Sequence, residues 1–113
     1  GHLIELCEGS SVSGVIDSAK VPRLPNTDHY IDEDCAPGGT DRNFESYSQK
    51  ISFLTDAQRA LLCDPQTSGG LLIMVSDSAK VEFDALMKDA GFELEAIGEL
   101  VESDNSKPTI QVT

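Results

Sequence analysis

Basic residues are scarce in this chain: 8 Lys and Arg stand against 20 Asp and Glu in 113 residues, a net charge of −12. Such a balance repels phosphodiester backbones and anionic headgroups, which argues against nucleic-acid binding. No apolar run approaches the roughly 20 residues a membrane helix needs, and no basic stretch leading into an apolar one marks a signal peptide. A soluble, cytoplasmic chain with no membrane partner is therefore expected. Cys-x-x-Cys spacing is also absent. Cys7, Cys35 and Cys63 are odd in number and far apart, which disfavours a disulfide framework or a zinc site. The two histidines, His2 and His29, have no zinc-like spacing either. Internal repeats and low-complexity segments are lacking, and the length suits one domain with a single core.

The patterns that are present alternate between helix and strand. Residues from His2 to Glu8 carry Leu3, Leu6 and Cys7 on one helical face, and Val12, Gly14 and Ile16 share one side of a short strand. Thr27 to Asp34 reads as a short helix whose Asp28, Asp32, Glu33 and Asp34 form a solvated face. Thr55-Asp56-Ala57-Gln58 has the form of a capping box, predicting a helix that delivers Leu61 and Leu62 to the core. Leu71 to Val75 is apolar on both faces, as in a central strand. Ala79, Phe83, Leu86, Met87 and Ala90 define an amphipathic helix with Asp77 or Ser78 as N-cap and Gly91 as its stop. Phe92, Leu94 and Ala96 alternate with Glu93 and Glu95, and a turn over residues 103 to 108 returns the chain as an antiparallel hairpin ending at Thr113. Strands are thus expected near 12–17, 71–76, 92–101 and 109–113, giving an α+β fold, a mixed sheet with helices on its faces.

Two polar segments interrupt this apolar framework. In Asp64-Pro65-Gln66-Thr67-Ser68-Gly69-Gly70, proline restricts the entry and two glycines permit close backbone approach at the exit. The carboxylate, amide and hydroxyls between them suit either a polar ligand or the turn's own backbone groups. Cys63 abuts this loop but ends an apolar run, where a thiol behaves as a small hydrophobe rather than a nucleophile. In Pro37-Gly38-Gly39-Thr40-Asp41-Arg42-Asn43, successive N–H groups can form an anion-binding concavity, with Thr40 and Asn43 as donors and Arg42 adding charge. The plainer reading is a turn whose Thr40 caps the next helix.

The Asp-Pro-Gln-Thr-Ser-Gly-Gly run followed by an apolar segment resembles a signature near the C-terminus of the selenophosphate synthetases, or selenide, water dikinases. Pro37 to Asn43 is similar to that family's Pro-Gly-Gly-Thr-x-Arg-Asn segment. Gly1-His2-Leu3 is similar to the end of its Thr-Gly-Phe-Gly-Leu-Leu-Gly-His-Leu motif, and Ala96-Ile97-Gly98-Glu99-Leu100 to its last strand.

The resemblance implies that residues 1–113 are a single domain, most of the C-terminal domain of a longer enzyme. That domain is of the type shared with the aminoimidazole ribonucleotide synthetases. The parent activity implied is the synthesis of selenophosphate from selenide, ATP and water, releasing AMP and phosphate. It uses magnesium and ATP as cofactors, selenide and ATP binding through the N-terminal domain, and the intact protein is a homodimer. The family's reactive residue and metal-binding aspartates have no counterpart here, so no catalytic or metal-ligating residue, no bound cofactor and no activity are expected of this chain alone. Gly38, Gly39, Thr40, Asn43, Asp64, Thr67, Ser68, Gly69 and Gly70 are the candidate substrate- or phosphate-binding residues. An exposed strand edge is expected at Val12 to Asp17. Two other classes remain open: a related synthetase or maturation protein with a different phosphoryl acceptor, and a non-catalytic ligand-binding or interaction module.

Overall fold

Val12, Val15 and Ile16 favour extended backbone because their branched side chains pack well on a pleated surface, and Val12–Ile16 forms β1, the central strand of the structure. The computed structural model describes residues 1–113. Gly98–Glu102 (β2) pairs antiparallel with β1, setting Gly14 opposite Leu100, and Ile110–Val112 (β3) pairs parallel on its other side, setting Gly14 beside Ile110. The result is a mixed three-stranded sheet in the order β2-β1-β3. The helices in chain order are α1 (His2–Ser10), α2 (Thr27–Asp32), α3 (Gly39–Tyr47), α4 (Asp56–Leu62) and α5 (Lys80–Asp89), with short 3-10 turns at Ser18–Lys20, Ser48–Lys50 and Asp77–Ala79; α1 packs on the sheet, and α4 packs with α2 and α3. The α+β expectation holds.

The core lies where α1 crosses β1. Ile4, Cys7, Ile16 and Ile110 are buried together, with Leu3, Val12, Ile51, Met74 and Val112 packed around them. Within α1 the buried face is Ile4 and Cys7, one helical turn apart, while Leu6 is exposed. The expected Leu3-Leu6-Cys7 face is therefore rotated, because the side of α1 that meets the sheet is set by the crossing geometry. β1 does not present a free edge, since both its sides are hydrogen-bonded.

Local signals are met where a short segment suffices. The Thr55 hydroxyl accepts from the Gln58 backbone N–H at 3.2 Å and the Gln58 side-chain oxygen accepts from the Thr55 N–H at 3.0 Å, completing the capping box of α4. At the end of α5, Gly91 adopts φ 84°, its N–H donates to Lys88 and that of Phe92 to Met87, the Schellman arrangement that stops the helix. Neither Asp77 nor Ser78 caps α5, which instead continues from the 3-10 turn at Asp77–Ala79.

Two strand expectations fail. Leu71 to Val75 forms no strand and makes no backbone hydrogen bond, leaving Leu71 92% and Ile73 50% exposed. The stretch 92–97 is likewise irregular, and regular pairing begins only at Gly98. Apolar patterning makes a strand possible, but a strand exists only beside a backbone that completes its ladder. The terminal hairpin is also absent: β3 lies against β1, on the far side from β2. Its position is held by Thr113, whose N–H donates to Ile16 at 2.8 Å, and by Ser18, whose N–H donates to Thr113 at 2.9 Å.

Because Ile110 is 2% exposed at the centre of this core, Ile110→Ala is expected to lower unfolding free energy by about 2–5 kcal/mol, measurable by urea titration. Burial also pushes the Cys7 thiol above its ordinary value. The folded chain then retains the thiol proton to higher pH than the unfolded chain. This contribution is fully present below an unfolded value of about 8.5 and is lost as pH rises through the higher folded value. The urea midpoint should accordingly fall more steeply above that pH in the parent chain than in Cys7→Ala, and Cys35, which is exposed, should react with a thiol reagent well before Cys7.

Candidate functional site

Helix α3 starts immediately after Pro37 and Gly38, with Gly38 already in right-handed helical dihedrals. Gly38 is the N-cap and makes no side-chain cap. Thr40 is therefore not the cap that its position in the sequence suggests: it lies inside the first turn of α3, where its backbone N–H donates to Pro37 at 3.0 Å. Its side chain is turned inward and only 4% of the residue is exposed, yet Oγ1 has no hydrogen-bond partner. An unpaired buried hydroxyl carries a desolvation cost of about 1–3 kcal/mol.

The two polar segments, some twenty residues apart in sequence, meet in the structure. Asn43 Nδ2 donates to the Cys63 carbonyl at 2.9 Å, directly ahead of Asp64. One turn earlier, a Cβ placed on Gly39 would lie 2.8 Å from Cγ of Pro65, so glycine is what lets the proline ring seat against α3. These two contacts give Asn43 and Gly39 a positioning role: they hold the entry of the Asp64 loop against the helix. At the loop's other end, the Gln66 side chain folds over Gly69, coming within 2.7 Å of the position a Cβ would take there. Asp64 is half-buried, whereas Thr67, Ser68, Gly69 and Gly70 are exposed to solvent.

A cavity of about 610 Å³ lies between the end of α2, the start of α3 and the first turns of α4, with Gly38 and Thr40 in its wall. Asp32, Asp34, Asp41, Asp56 and Arg59 also line it. The cation at this site is thus Arg59, which pairs with Asp41 at 3.1 Å and lies 5.3 Å from the centre of the Phe44 ring, while Arg42 is exposed outside. The acidic segment around Asp32 and Asp34 contributes to the wall as well as to the solvated surface. Its placement depends on α2 meeting α4, which no local pattern announces. Thr67, Ser68, Gly69 and Gly70 do not line this cavity; they form a neighbouring exposed rim reached through Pro65.

The thiol of Cys63 is not set up as a nucleophile. Burial raises its proton affinity, and Arg59 offsets that effect in part. No three His, Cys, Asp or Glu side chains converge in a way that would enclose a metal ion. No helix is long and apolar enough to cross a membrane.

In class, then, the chain is an α+β domain that presents two glycine-bearing polar loops side by side. No family model matches it. It is 55% identical over 102 residues to the selenide, water dikinase of Pseudomonas putida, 49% over 112 residues to that of Colwellia psychrerythraea, and 54% over 101 residues to that of Bordetella bronchiseptica. These matches cover 90%, 99% and 89% of this chain but 30%, 32% and 29% of the respective relatives. The chain belongs to the selenide, water dikinase family and spans about 30% of the length of the relatives it matches.

If the contact between the loops is held as described, Gly39→Ala should displace Pro65 and destabilise the chain by about 1–3 kcal/mol, as overpacking does. Asn43→Ala should cost about 0.5–1.5 kcal/mol, the range for one hydrogen bond. Both should speed proteolytic cleavage within residues 64–70 relative to cleavage elsewhere, which urea titration and timed digestion together would measure.

Proposed function

We propose that this chain is most of the C-terminal domain of a selenophosphate synthetase, and that its two loops contact phosphate groups at the cleft facing the remainder of that enzyme. The intact protein would make selenophosphate from selenide, ATP and water, releasing AMP and phosphate. The observation that carries this reading is the junction of Gly39 with Pro65 and of Asn43 with Cys63, which joins the two segments resembling family motifs into one surface. Sequence identity of 46–55% to the dikinases supports the same assignment.

The chemistry asked of this surface is electrostatic. A transferring phosphoryl group spreads negative charge over its oxygens and is stabilised by donors already oriented toward it. The first turn of α3 offers backbone N–H groups with the positive end of a helix dipole, and the unpaired Thr40 hydroxyl lies buried within that turn. Thr67 and Ser68 add two exposed hydroxyls at the rim. Gly70 leaves that rim open, the Gln66 side chain lies over Gly69, and half-buried Asp64 stands at its entry. Magnesium, when bound in the intact enzyme, would neutralise phosphate charge. The family's metal-binding aspartates have no counterpart among these residues, so the remainder of the enzyme would hold the ion. ATP and selenide would enter through the N-terminal domain, and the intact protein would be a cytoplasmic homodimer.

Incubating the isolated chain with ATP, magnesium and selenide is expected to yield no AMP, because the family's reactive residue and metal-binding aspartates lie outside it. In the full-length enzyme, replacing Thr67 and Ser68 together by Ala should lower selenophosphate formation far more than it lowers melting temperature. Removal of a donor from a preorganised charge site costs up to about 2.7–4 kcal/mol of barrier. Activity that falls only with the folded fraction would reduce these hydroxyls to turn-forming groups.

A further inference from the structure

Helix α4 leads from the sheet to the Asp64 loop, and apolar burial does not fix its direction, since none of its seven residues is buried. Its entry is secured at the edge of β3. Ile51 bridges to Ile110, the Ser52 N–H donates to the Ile110 carbonyl at 2.8 Å, and Leu54 is buried just ahead of Thr55. Beyond that entry, Gln58 is the α4 residue whose side chain bonds to the end of β1. Its amide is engaged on both sides: Oε1 accepts from the Thr55 N–H at 3.0 Å within the capping box, while Nε2 donates to Ser18 Oγ at 3.0 Å. Ser18 Oγ in turn donates its single proton to the Thr113 carbonyl at 2.7 Å, so toward Gln58 it can only accept. The donors therefore run in one direction, from Gln58 to Ser18 to Thr113, and the order requires an N–H at position 58.

We infer that Gln58 is a positioning residue of the site: by bonding Ser18 it sets the direction of α4, and with it the place of the Asp64 loop against α3. Its consequence for the reaction rests on the phosphate-contact reading. At the far end of α4 the Cys63 carbonyl accepts from Asn43 Nδ2 at 2.9 Å, and Pro65 seats on Gly39. The lever between the two ends is short and stiff, about 7–8 Å of helix at a rise of about 1.5 Å per residue. A tilt of about 10° over that length moves the Cys63 carbonyl by about 1 Å, enough to take an N–H···O contact out of hydrogen-bond range. Displacements of that size cost a reaction up to about a hundredfold when they carry donors away from the reacting group. Gln58 itself touches no substrate. A glutamate at this position separates its two tasks: Glu completes a capping box as Gln does, but its carboxylate has no proton to offer a Ser18 oxygen whose own proton is already given to Thr113.

The test uses the full-length enzyme carrying Gln58→Glu, Gln58→Ala, Ser18→Ala, or Gln58→Glu with Ser18→Ala, and reads melting temperature, hydrogen exchange and selenophosphate formation. Gln58→Glu should melt close to the parent, yet exchange across residues 63–70 should quicken several-fold. Its kcat should fall by about tenfold with KM for ATP nearly unchanged, the pattern of a misplaced donor surface. Gln58→Ala, which loses the capping box as well, should also lower the melting temperature. Ser18→Ala should reproduce the effect of Gln58→Glu, and the double variant should be no worse than the more damaging single change, because both remove the same bond. Exchange across 63–70 that stays at the parent rate in Gln58→Glu would overturn the inference, as would a kcat loss that only follows the melting temperature. Quickened exchange with an unchanged kcat would uphold the placement of the loop by Gln58 and remove the phosphate-contact reading instead.

Discussion

Everything in this fold depends on β1 having a hydrogen-bonded neighbour on each side. Five residues in the first sixth of the chain are paired with β2 and β3, both drawn from the last sixteen positions. That closure carries a large loop-entropy cost, and it is compensated by burying Ile110 against Ile4, Cys7 and Ile16. Hydrogen bonds from Ser18 and Thr113 lock the same junction, and Gln58 Nε2 donates to Ser18 Oγ at 3.0 Å, tying α4 into it.

This tie matters for the site. α4 is the element through which the sheet positions the polar loops: its capping box is linked to the β1 junction, its Arg59 reaches Asp41 on α3, and its end delivers Cys63 to Asn43. α1 holds α3 from the opposite direction, since Tyr47 donates to Glu5 at 2.7 Å and Lys50 pairs with Glu8 at 2.8 Å. Exposed pairs of this kind contribute little stability individually. Their effect is geometric: the start of α3, with the buried Thr40, is set against the entry of the Asp64 loop. The Glu5 carboxylate, which accepts the Tyr47 hydroxyl hydrogen, also pushes that phenol above its ordinary value.

The sheet organises only part of the molecule. Eight of 113 residues are buried, and Leu71, Val81 and Phe92 are exposed at 92%, 82% and 57%, so the half of the chain after the Asp64 loop presents much of its apolar surface to solvent. The segments 71–75 and 92–96 have the composition of strands without a ladder to join. The loop that bears Thr67 to Gly70 consequently rests on a firm element on one side only, through Pro65 and Gly39.

The sequence by itself determined what is decided within a few residues, and the motifs that place the chain in its family. The capping box at Thr55, the stop at Gly91 and the short helix from Thr27 were legible because each depends on side chains and dihedrals within one or two turns. So was the α+β class, which follows from the alternation of hydrophobic periods. The tertiary structure alone decided which strands exist, that the last one runs parallel to β1, and which face of α1 is buried, since each requires a partner distant in the chain. The site divides in the same way. Its two polar segments could be picked out from composition, but whether they touch, and that Thr40 is a buried unpaired hydroxyl rather than a cap, depends on α2, α3 and α4 packing together. Arg59 and Asp56 were legible only as helix residues. They face the cavity because α4 is anchored to the sheet, and sequence periodicity carries no information about that anchor.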